Sequence, residues 1–169
     1  PFRGYKTQLY EGGIRSSLVA WAPGHTAATN RVNRSSVFSA IDLVPSLLKF
    51  SKVPTPEQIT FDGELLLDTI LGHRDNSRRA PLFFRRPPDR DSFYGDKDLP
   101  DLAVRQGKWK LLCEYDGSEA ELYDLDSDRG ETTNLANRHP EVVNRLSNLV
   151  IDWHHRMPAD RGAEWKKKR

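Results

Sequence analysis

The residues that most often carry catalysis are few in this sequence, and they form no complete catalytic set. The only cysteine, Cys113, stands between Leu112 and Glu114 in an alternating segment, so we expect a packed thiol and not a nucleophile. The neighbours His154 and His155 would point in different directions on a helix, so we expect no shared ligand site there. The sequence contains no Gly-x-Ser-x-Gly elbow, no glycine-rich phosphate loop with a lysine and no His-Glu-x-x-His motif.

The three aspartates Asp124, Asp126 and Asp128 alternate as they do at the start of a calcium-binding loop. The glycine at the sixth position and the glutamate at the twelfth position of such a loop do not follow. We therefore expect these carboxylates to cap turns, and the sequence predicts no metal site.

The charge balance argues against two classes of binding protein. Lys and Arg number 26 and Asp and Glu number 24, so the net charge is only +2, which is unlike a dedicated nucleic-acid or membrane-surface binder. The basic run at residues 166–169 favours nucleic acid, but no basic stripe accompanies it on the last predicted helix. Every apolar run ends before it reaches the length of a membrane span. We expect neither nucleic acid nor a membrane as a partner.

The elements of the first 75 residues are short and are separated by loops. Residues 18–21 are apolar and are soon followed by a Pro-Gly pair, which predicts a short buried strand. Residues 39–49 place apolar side chains on one face, which predicts a helix. The apolar residues at 65–71 predict one helical turn that Gly72 closes.

The later part of the sequence predicts an antiparallel sheet and a long helix. Apolar or alternating segments predict four strands, at residues 81–84, 102–105, 109–115 and 121–125. Residues 85–100 hold three prolines and many charges, which predicts a long irregular loop. The last helix has Pro140 in its first turn and carries an apolar stripe that would cover the sheet. We expect the other sheet face to be wet, with Trp109 in the core and Arg105 and Lys110 outside.

Several blocks of the sequence follow one another in a characteristic order and spacing. The first block, residues 6–15, reads Lys-Thr-Gln-Leu-Tyr-Glu-Gly-Gly-Ile-Arg. The later blocks are residues 18–24, 39–48, 62–72, 103–111 and 121–140. Together these blocks resemble the C-terminal portion of the sulfatase family, within the alkaline-phosphatase-like superfamily. Ser16 and Ser17 depart locally from the family pattern, which often has a proline there.

The resemblance implies an α+β fold. A small antiparallel sheet of about four strands would be packed by a C-terminal helix and preceded by an edge piece of a large α/β alkaline-phosphatase-like domain. Residues 1–75 would form the incomplete edge of the catalytic domain, residues 76–157 the small C-terminal domain and residues 158–169 a frayed basic tail. Because an edge piece lacks the rest of its domain, we expect residues 1–75 to expose apolar surface or to be covered by another chain.

The activity that the resemblance implies is hydrolysis of sulfate esters, in which Lys6 binds the sulfate group. The family's nucleophile is a formylglycine made from Cys or Ser in a Cys/Ser-x-Pro-x-Arg motif, and no such motif occurs in these 169 residues. The family's calcium-binding aspartates belong upstream of Lys6. We therefore expect calcium and formylglycine in the intact enzyme and no activity in the isolated chain. The alternative is a non-catalytic binding or interaction module derived from a sulfatase scaffold.

Other residues of the first block have a structural interpretation. Gly12 and Gly13 permit a positive φ or a close approach to another surface. We expect Glu11 and Arg15 to form an ion pair or backbone hydrogen bonds that hold this glycine turn.

The candidates for the wall of the substrate cleft are Tyr10, Arg85, Arg86 and Arg90, because arginine-rich loops suit anionic sulfated sugars. The implied partners are the missing N-terminal catalytic portion, in the same polypeptide or another chain, and a sulfated small molecule or carbohydrate. Exposed apolar surface would also permit an oligomer. The sequence itself leaves the compartment open, and the family resemblance favours a secreted or periplasmic protein.

Overall fold

The structure, a computed structural model, describes residues 1–27, 31–86 and 99–159. The chain divides into two compact units. One unit is Ser17–Ala80, and the other combines Pro1–Ser16 with the residues from Pro81 onward. Most of the predicted loop at 85–100, most of the predicted basic tail and the candidate residue Arg90 lie outside the described residues.

A four-stranded antiparallel sheet forms the centre of the unit that combines Pro1–Ser16 with the residues from Pro81 onward. Its strands are β1 (Leu82–Arg85), β2 (Leu102–Gln106), β3 (Trp109–Cys113) and β4 (Glu121–Asp124), and they lie side by side in chain order. Gly107, with a φ of +58°, allows the tight connection between β2 and β3. The predicted antiparallel sheet of about four strands is confirmed.

The long helix α4 (Pro140–Arg156) packs across one face of this sheet. Pro140 fits the first helical position, since its fixed φ is helical and the missing N–H needs no partner there. Leu146 and Val150 are fully buried against the strands, and Trp153 stacks on Phe83 with 5.1 Å between ring centroids. The predicted stripe therefore covers the sheet as expected.

Cys113 belongs to the core between α4 and the sheet and is fully buried. Burial raises the pKa of its thiol to about 12, with nearby carboxylates adding to the effect. The expectation of a packed thiol is confirmed.

The other face of the sheet is also covered, so the prediction of a wet face was wrong. Leu9 and Tyr10 from the N-terminal segment pack there on Leu112 and Tyr123. Lys110, predicted to point into solvent, is 0% exposed. Alternation along the strands identifies two faces but does not show that an apolar segment from the N-terminus lies on the second one.

The unit Ser17–Ala80 is organised around a buried carboxylate. A 3₁₀ turn (Ala40–Asp42) leads into α2 (Leu43–Phe50), and α3 (Leu67–Ile70) follows after a loop. The Asp42 carboxylate accepts the backbone N–H groups of Ser39 and Glu64, at 2.8 Å and 2.7 Å. The two helical segments were predicted, and α3 is closed as expected by Gly72, with a φ of +76°.

The guanidinium of Arg78 completes this arrangement, with Nη1 2.8 Å from Asp42 Oδ1 and almost no exposure. Arg78 is buried although it belongs to the highly charged segment of residues 73–79. A buried carboxylate needs a paired cation, and Arg78 supplies it.

Residues 18–21 form no strand, which corrects the prediction made from their apolar run. A strand needs a neighbour for its backbone hydrogen bonds, and none of the described residues pairs with this segment. Val19 is 88% exposed and Trp21 is 84% exposed. The prediction that the first part of the chain exposes apolar surface is confirmed, and Val32, Val44 and Leu47 extend it. Among the described residues, no helix has the length and apolarity that a bilayer crossing requires.

The contact between α4 and the sheet predicts a large effect for Leu146→Ala. Removing this fully buried side chain should lower the free energy of unfolding by about 2–5 kcal/mol, because a cavity remains where the leucine packed. Urea unfolding measures the change. Asn148→Ala, at an exposed position of the same helix, is the control and should change stability by less than about 0.5 kcal/mol. Equal effects of the two variants would contradict the packing described here.

Candidate functional site

Lys6 lies in a tight turn whose backbone is strained. The N–H of Gln8 donates to the carbonyl of Tyr5 at 3.0 Å, so Lys6 and Thr7 are the two central residues. Thr7 has a φ of +88°, a region where glycine is the usual residue. Lys6 is exposed, and within the described residues no carboxylate pairs with it. Strain next to an unpaired cation is a pattern found at functional sites.

The short helix α1 (Glu11–Ile14) packs directly against this turn through its two glycines. A Cβ on Gly12 would lie 2.2 Å from the carbonyl oxygen of Gly4. A Cβ on Gly13 would lie 2.0 Å from the carbonyl oxygen of Gln8 and 2.6 Å from that of Tyr5. Only glycine allows this approach, as the sequence predicted, although neither glycine has a positive φ.

A buried ionic network ties α1 to the sheet. Lys110 Nζ on β3 lies 3.1 Å from Glu11 Oε1 and 2.7 Å from Glu131 Oε1. The Glu131 Oε2 atom accepts the backbone N–H of Glu11 at 2.7 Å. All three side chains are at most 2% exposed, and burial raises the pKa of Glu131 despite the opposing effect of Lys110.

Two arginines complete the surroundings of Glu11. Arg15 Nη1 lies 3.3 Å from Glu11 Oε2, and Arg105 Nη1 lies 3.8 Å from the same atom. The structure therefore contains the Glu11–Arg15 ion pair that the sequence suggested. Arg105, predicted to lie outside on the sheet, faces this partly buried network, and burial lowers its pKa.

Tyr10 lies in the packing against the sheet and not at an open cleft. It is 4% exposed, and its hydroxyl donates to the Glu121 carboxylate at 3.0 Å. The hydroxyl of Tyr123 donates to the same carboxylate at 2.6 Å, and the Arg3 guanidinium lies 3.9 Å over the Tyr10 ring. Burial and the neighbouring Glu121 raise the pKa of Tyr10 far above its ordinary range.

A groove of about 280 Å³ begins at the Lys6 turn. Its walls include Thr7, Gln8, Gly13, Phe84, Arg85 and Arg86. Arg86 Nη2 donates to the carbonyl of Leu99 at 3.0 Å and to Asp101 Oδ1 at 3.2 Å. Three of the cleft candidates lie in the described residues, and two of them, Arg85 and Arg86, line the same groove as Thr7. Thr7 directly follows Lys6.

Asp101, which accepts a hydrogen bond from Arg86, lies beside the carboxyl group of Glu114. Burial and a hydrogen bond with Asp101 raise the pKa of Glu114 to about 7, and Arg86 opposes this shift. The charge of Glu114, close to Arg86, therefore changes near neutral pH.

Two of the three aspartates at the end of β4 and after it, Asp124 and Asp128, cap turns as expected. Asp124 Oδ1 accepts the N–H of Asp126 at 3.1 Å, and Asp128 Oδ2 accepts the N–H groups of Thr132 and Thr133 at 2.8 Å and 2.9 Å. In the part of the chain that the structure describes, no group of three His, Cys, Asp or Glu side chains is arranged to hold a metal ion.

Sequence reasoning missed the role of Lys110 and Glu131. A signal for Lys110 was present, because Leu112 lies on the same side of β3 and is itself apolar, which is unusual for a wet face. No comparable signal marks Glu131, which lies in a loop with a φ of +55° and reaches Lys110 only through the tertiary fold.

Almost the whole chain matches the model of one protein family. Residues 4–155 match the model of the C-terminal region of N-sulphoglucosamine sulphohydrolase. The chain belongs to the sulfatase C-terminal domain family. The match includes the Lys6 turn, α1, the sheet and almost all of α4.

Curated sulfatases match most of this sulfatase domain. The N-acetylgalactosamine-6-O-sulfatase of Bacteroides thetaiotaomicron is 30% identical, over 88% of this chain and 29% of its own length. Mouse arylsulfatase K is 30% identical, over 84% of this chain and 25% of its own length. Human arylsulfatase A is 31% identical, over 86% of this chain and 32% of its own length. The chain thus spans about a quarter to a third of the length of these relatives.

Solved structures agree with this assignment. A structure from work on glycosaminoglycan metabolism by Bacteroides thetaiotaomicron is 27% identical, with a TM-score of 0.50 over 68% of this chain and 24% of that chain. The crystal structure of Ps i-CgsB has a TM-score of 0.54 over 70% of this chain and 24% of its own, at 17% identity, and so shares the fold. The fold is that of the C-terminal part of sulfatases, which are alkaline-phosphatase-like proteins.

The raised pKa of Glu114 predicts a distinctive pH dependence. Between its ordinary value of 4.5 and about 7 the folded state binds more protons than the unfolded state. Stability from this group is therefore present at low pH and lost as the pH rises through that window. Glu114→Gln removes the titration, so the stability of the wild type relative to this variant should fall from about pH 5 to about pH 8.

Thermal unfolding across this pH range measures the difference. The control is Glu57→Gln, at an exposed carboxylate, which should leave the pH profile of the wild type unchanged. Parallel profiles of the wild type and Glu114→Gln would show that Glu114 does not titrate as described.

Proposed function

We propose that this chain is the C-terminal portion of an enzyme that hydrolyses sulfate esters, and that Lys6 binds the sulfate group of the substrate. The strained turn carries this proposal, because it presents an exposed ammonium, with no carboxylate partner among the described residues, beside an open groove. The membership of the sulfatase family supports the reaction class.

The role proposed for Lys6 follows from the chemistry of its side chain. The ammonium has three donors and a compact charge, so it can neutralise a sulfate oxygen without demanding one planar geometry. When the ester bond breaks, negative charge develops on the departing oxygen. A cation held close to that charge lowers the barrier, since its position is fixed before the reaction.

The groove beside the Lys6 turn suits an anionic substrate that extends beyond its sulfate group. Arg85 and Arg86 contribute two guanidinium groups, and Arg86 Nε has no hydrogen-bond partner within the described ranges. Phe84, Leu9 and Ile14 supply apolar parts of its wall. We infer a sulfated carbohydrate as the substrate class, in keeping with the sulfated sugar that the name of the Bacteroides relative gives for that protein.

The described residues do not fit the other two parts expected of an intact sulfatase. In residues 1–27, 31–86 and 99–159 no acidic cluster could hold calcium, and Cys113 is buried in the core outside any formylglycine motif. We propose that calcium and formylglycine belong to a catalytic portion outside these 169 residues, and that the chain alone is inactive. We also propose a secreted or periplasmic location.

The exposed apolar surface of the unit Ser17–Ala80 supports such a catalytic portion. Val19, Trp21, Val32 and Leu47 are all more than half exposed in this chain. An exposed set of this size marks a surface that another part of a protein covers. We propose that the missing catalytic portion covers it, and that without this portion the same surface promotes self-association.

Replacement of Lys6 tests the proposed activity. In the full-length protein, Lys6→Ala should lower kcat for an aryl sulfate by about 10²–10³-fold, because a donor to the developing charge is lost. Arg138→Ala, which removes an exposed positive charge from the same unit, is the control and should leave kcat unchanged. An unchanged kcat for Lys6→Ala would contradict the role of Lys6, and an inactive wild type would favour the binding module.

Replacement of Trp21 tests the proposed covered surface. In the full-length protein, Trp21→Ala should lower the free energy of unfolding by about 3–5 kcal/mol, as for a buried tryptophan. Glu57→Ala, an exposed position of the same unit, should change it by less than about 0.5 kcal/mol. A similarly small change for Trp21→Ala would show that the surface stays open to solvent.

A further inference from the structure

The ionic network of Glu11, Lys110 and Glu131 contacts α1 as well as the sheet. Lys110 is fixed in β3, with Arg105 and Tyr123 opposite it on the neighbouring strands. Its ammonium reaches two carboxylates at 3.1 Å and 2.7 Å without any exposure to solvent. Charges buried in this way persist only when each is paired, so the three side chains have one shared arrangement.

One carboxylate of the network also holds a backbone group. Glu131 uses Oε1 for Lys110 and Oε2 for the N–H of Glu11, at 2.7 Å. That N–H belongs to the first residue of α1 and has no partner within a helix of four residues. Glu131 therefore sets where α1 begins relative to the sheet.

The position of α1 in turn sets the position of the Lys6 turn. The N–H of Gly12 donates to the carbonyl of Arg3 at 2.7 Å. The Cα of Gly13 lies so close to the carbonyls of Tyr5 and Gln8 that no Cβ could be inserted. These two carbonyls flank Lys6 and Thr7, so a shift of α1 displaces the turn that carries Lys6.

We propose that Lys110 and Glu131 are positioning residues for Lys6, acting through α1. The proposal rests on the function proposed above for Lys6, but the mechanical link from the network to the turn can be tested without that function. A purely structural network would stabilise the whole sheet, whereas a positioning network affects residues 3–14 most strongly.

The test uses Lys110→Met in the full-length protein, because methionine keeps much of the length of lysine and removes its charge. Glu131 then loses the lysine that pairs with its Oε1, while Glu11 keeps the neighbouring Arg15 and Arg105. The matched control is Lys108→Met, which removes a half-exposed lysine of the same hairpin whose ammonium pairs with Asp124 at 2.6 Å. Glu131→Gln is a milder variant that keeps an acceptor for the N–H of Glu11.

The first measurement is hydrogen exchange of backbone amides. In Lys110→Met, exchange of the amides of residues 11–14 should accelerate by a factor about tenfold larger, or more, than exchange of the amides of β2 and β3. Glu131→Gln should show the same pattern with a smaller increase, and Lys108→Met should show none. Equal acceleration in α1 and in the strands, or no acceleration in α1, would overturn the proposal whether or not the protein hydrolyses sulfate esters.

The second measurement is a double-mutant cycle on aryl sulfate hydrolysis. Lys110→Met alone should lower kcat by about tenfold or more. In a Lys6→Ala background the same change should lower kcat by less than about twofold, because the group it positions is already absent. Equal factors in both backgrounds would show that Lys110 acts through overall stability. A wild type without activity would refute the proposed function, while the exchange pattern would still decide whether the network holds the turn.

Discussion

The burial of one lysine between two glutamates is the constraint on which the N-terminal part of the site depends. Lys110 is fully buried, and Glu11 and Glu131 are the carboxylates that pair with it in the described part of the chain. Removing one member of such a group leaves a buried charge unpaired, which is strongly destabilising. The network therefore joins three segments that are distant in sequence, namely the N-terminal segment, the central hairpin and the loop after β4.

The sheet and its helix could be predicted from the sequence, because local patterns determine both. Alternation and turn residues identify the strands, and the spacing of Leu146 and Val150 identifies the face of α4 that is buried. The covering of the second sheet face could not be predicted in this way, since Leu9 and Tyr10 reach it from about a hundred residues away. The failed strand at residues 18–21 has the same cause, because a strand depends on a partner outside its own segment.

The candidate site was predictable in its residue types and less so in its geometry. The resemblance to sulfatases pointed to Lys6 and to the glycine pair, and the structure adds the strain at Thr7 and the contact between Gly13 and the turn. Tyr10 belongs to the same motif, yet it packs on the sheet and bonds to Glu121. The motif therefore combines an exposed lysine with residues that pack on the sheet.

The central claim is that a rigid, network-held turn presents Lys6 to a sulfate group. A crystal structure of the full-length protein with a bound sulfate ester tests this claim most directly. The account predicts Lys6 Nζ within about 3 Å of a sulfate oxygen, with the organic part of the ester in the groove beside Arg85 and Arg86 and with Lys110 still between its two glutamates. A sulfate ester bound elsewhere, with Lys6 directed into solvent, would contradict it.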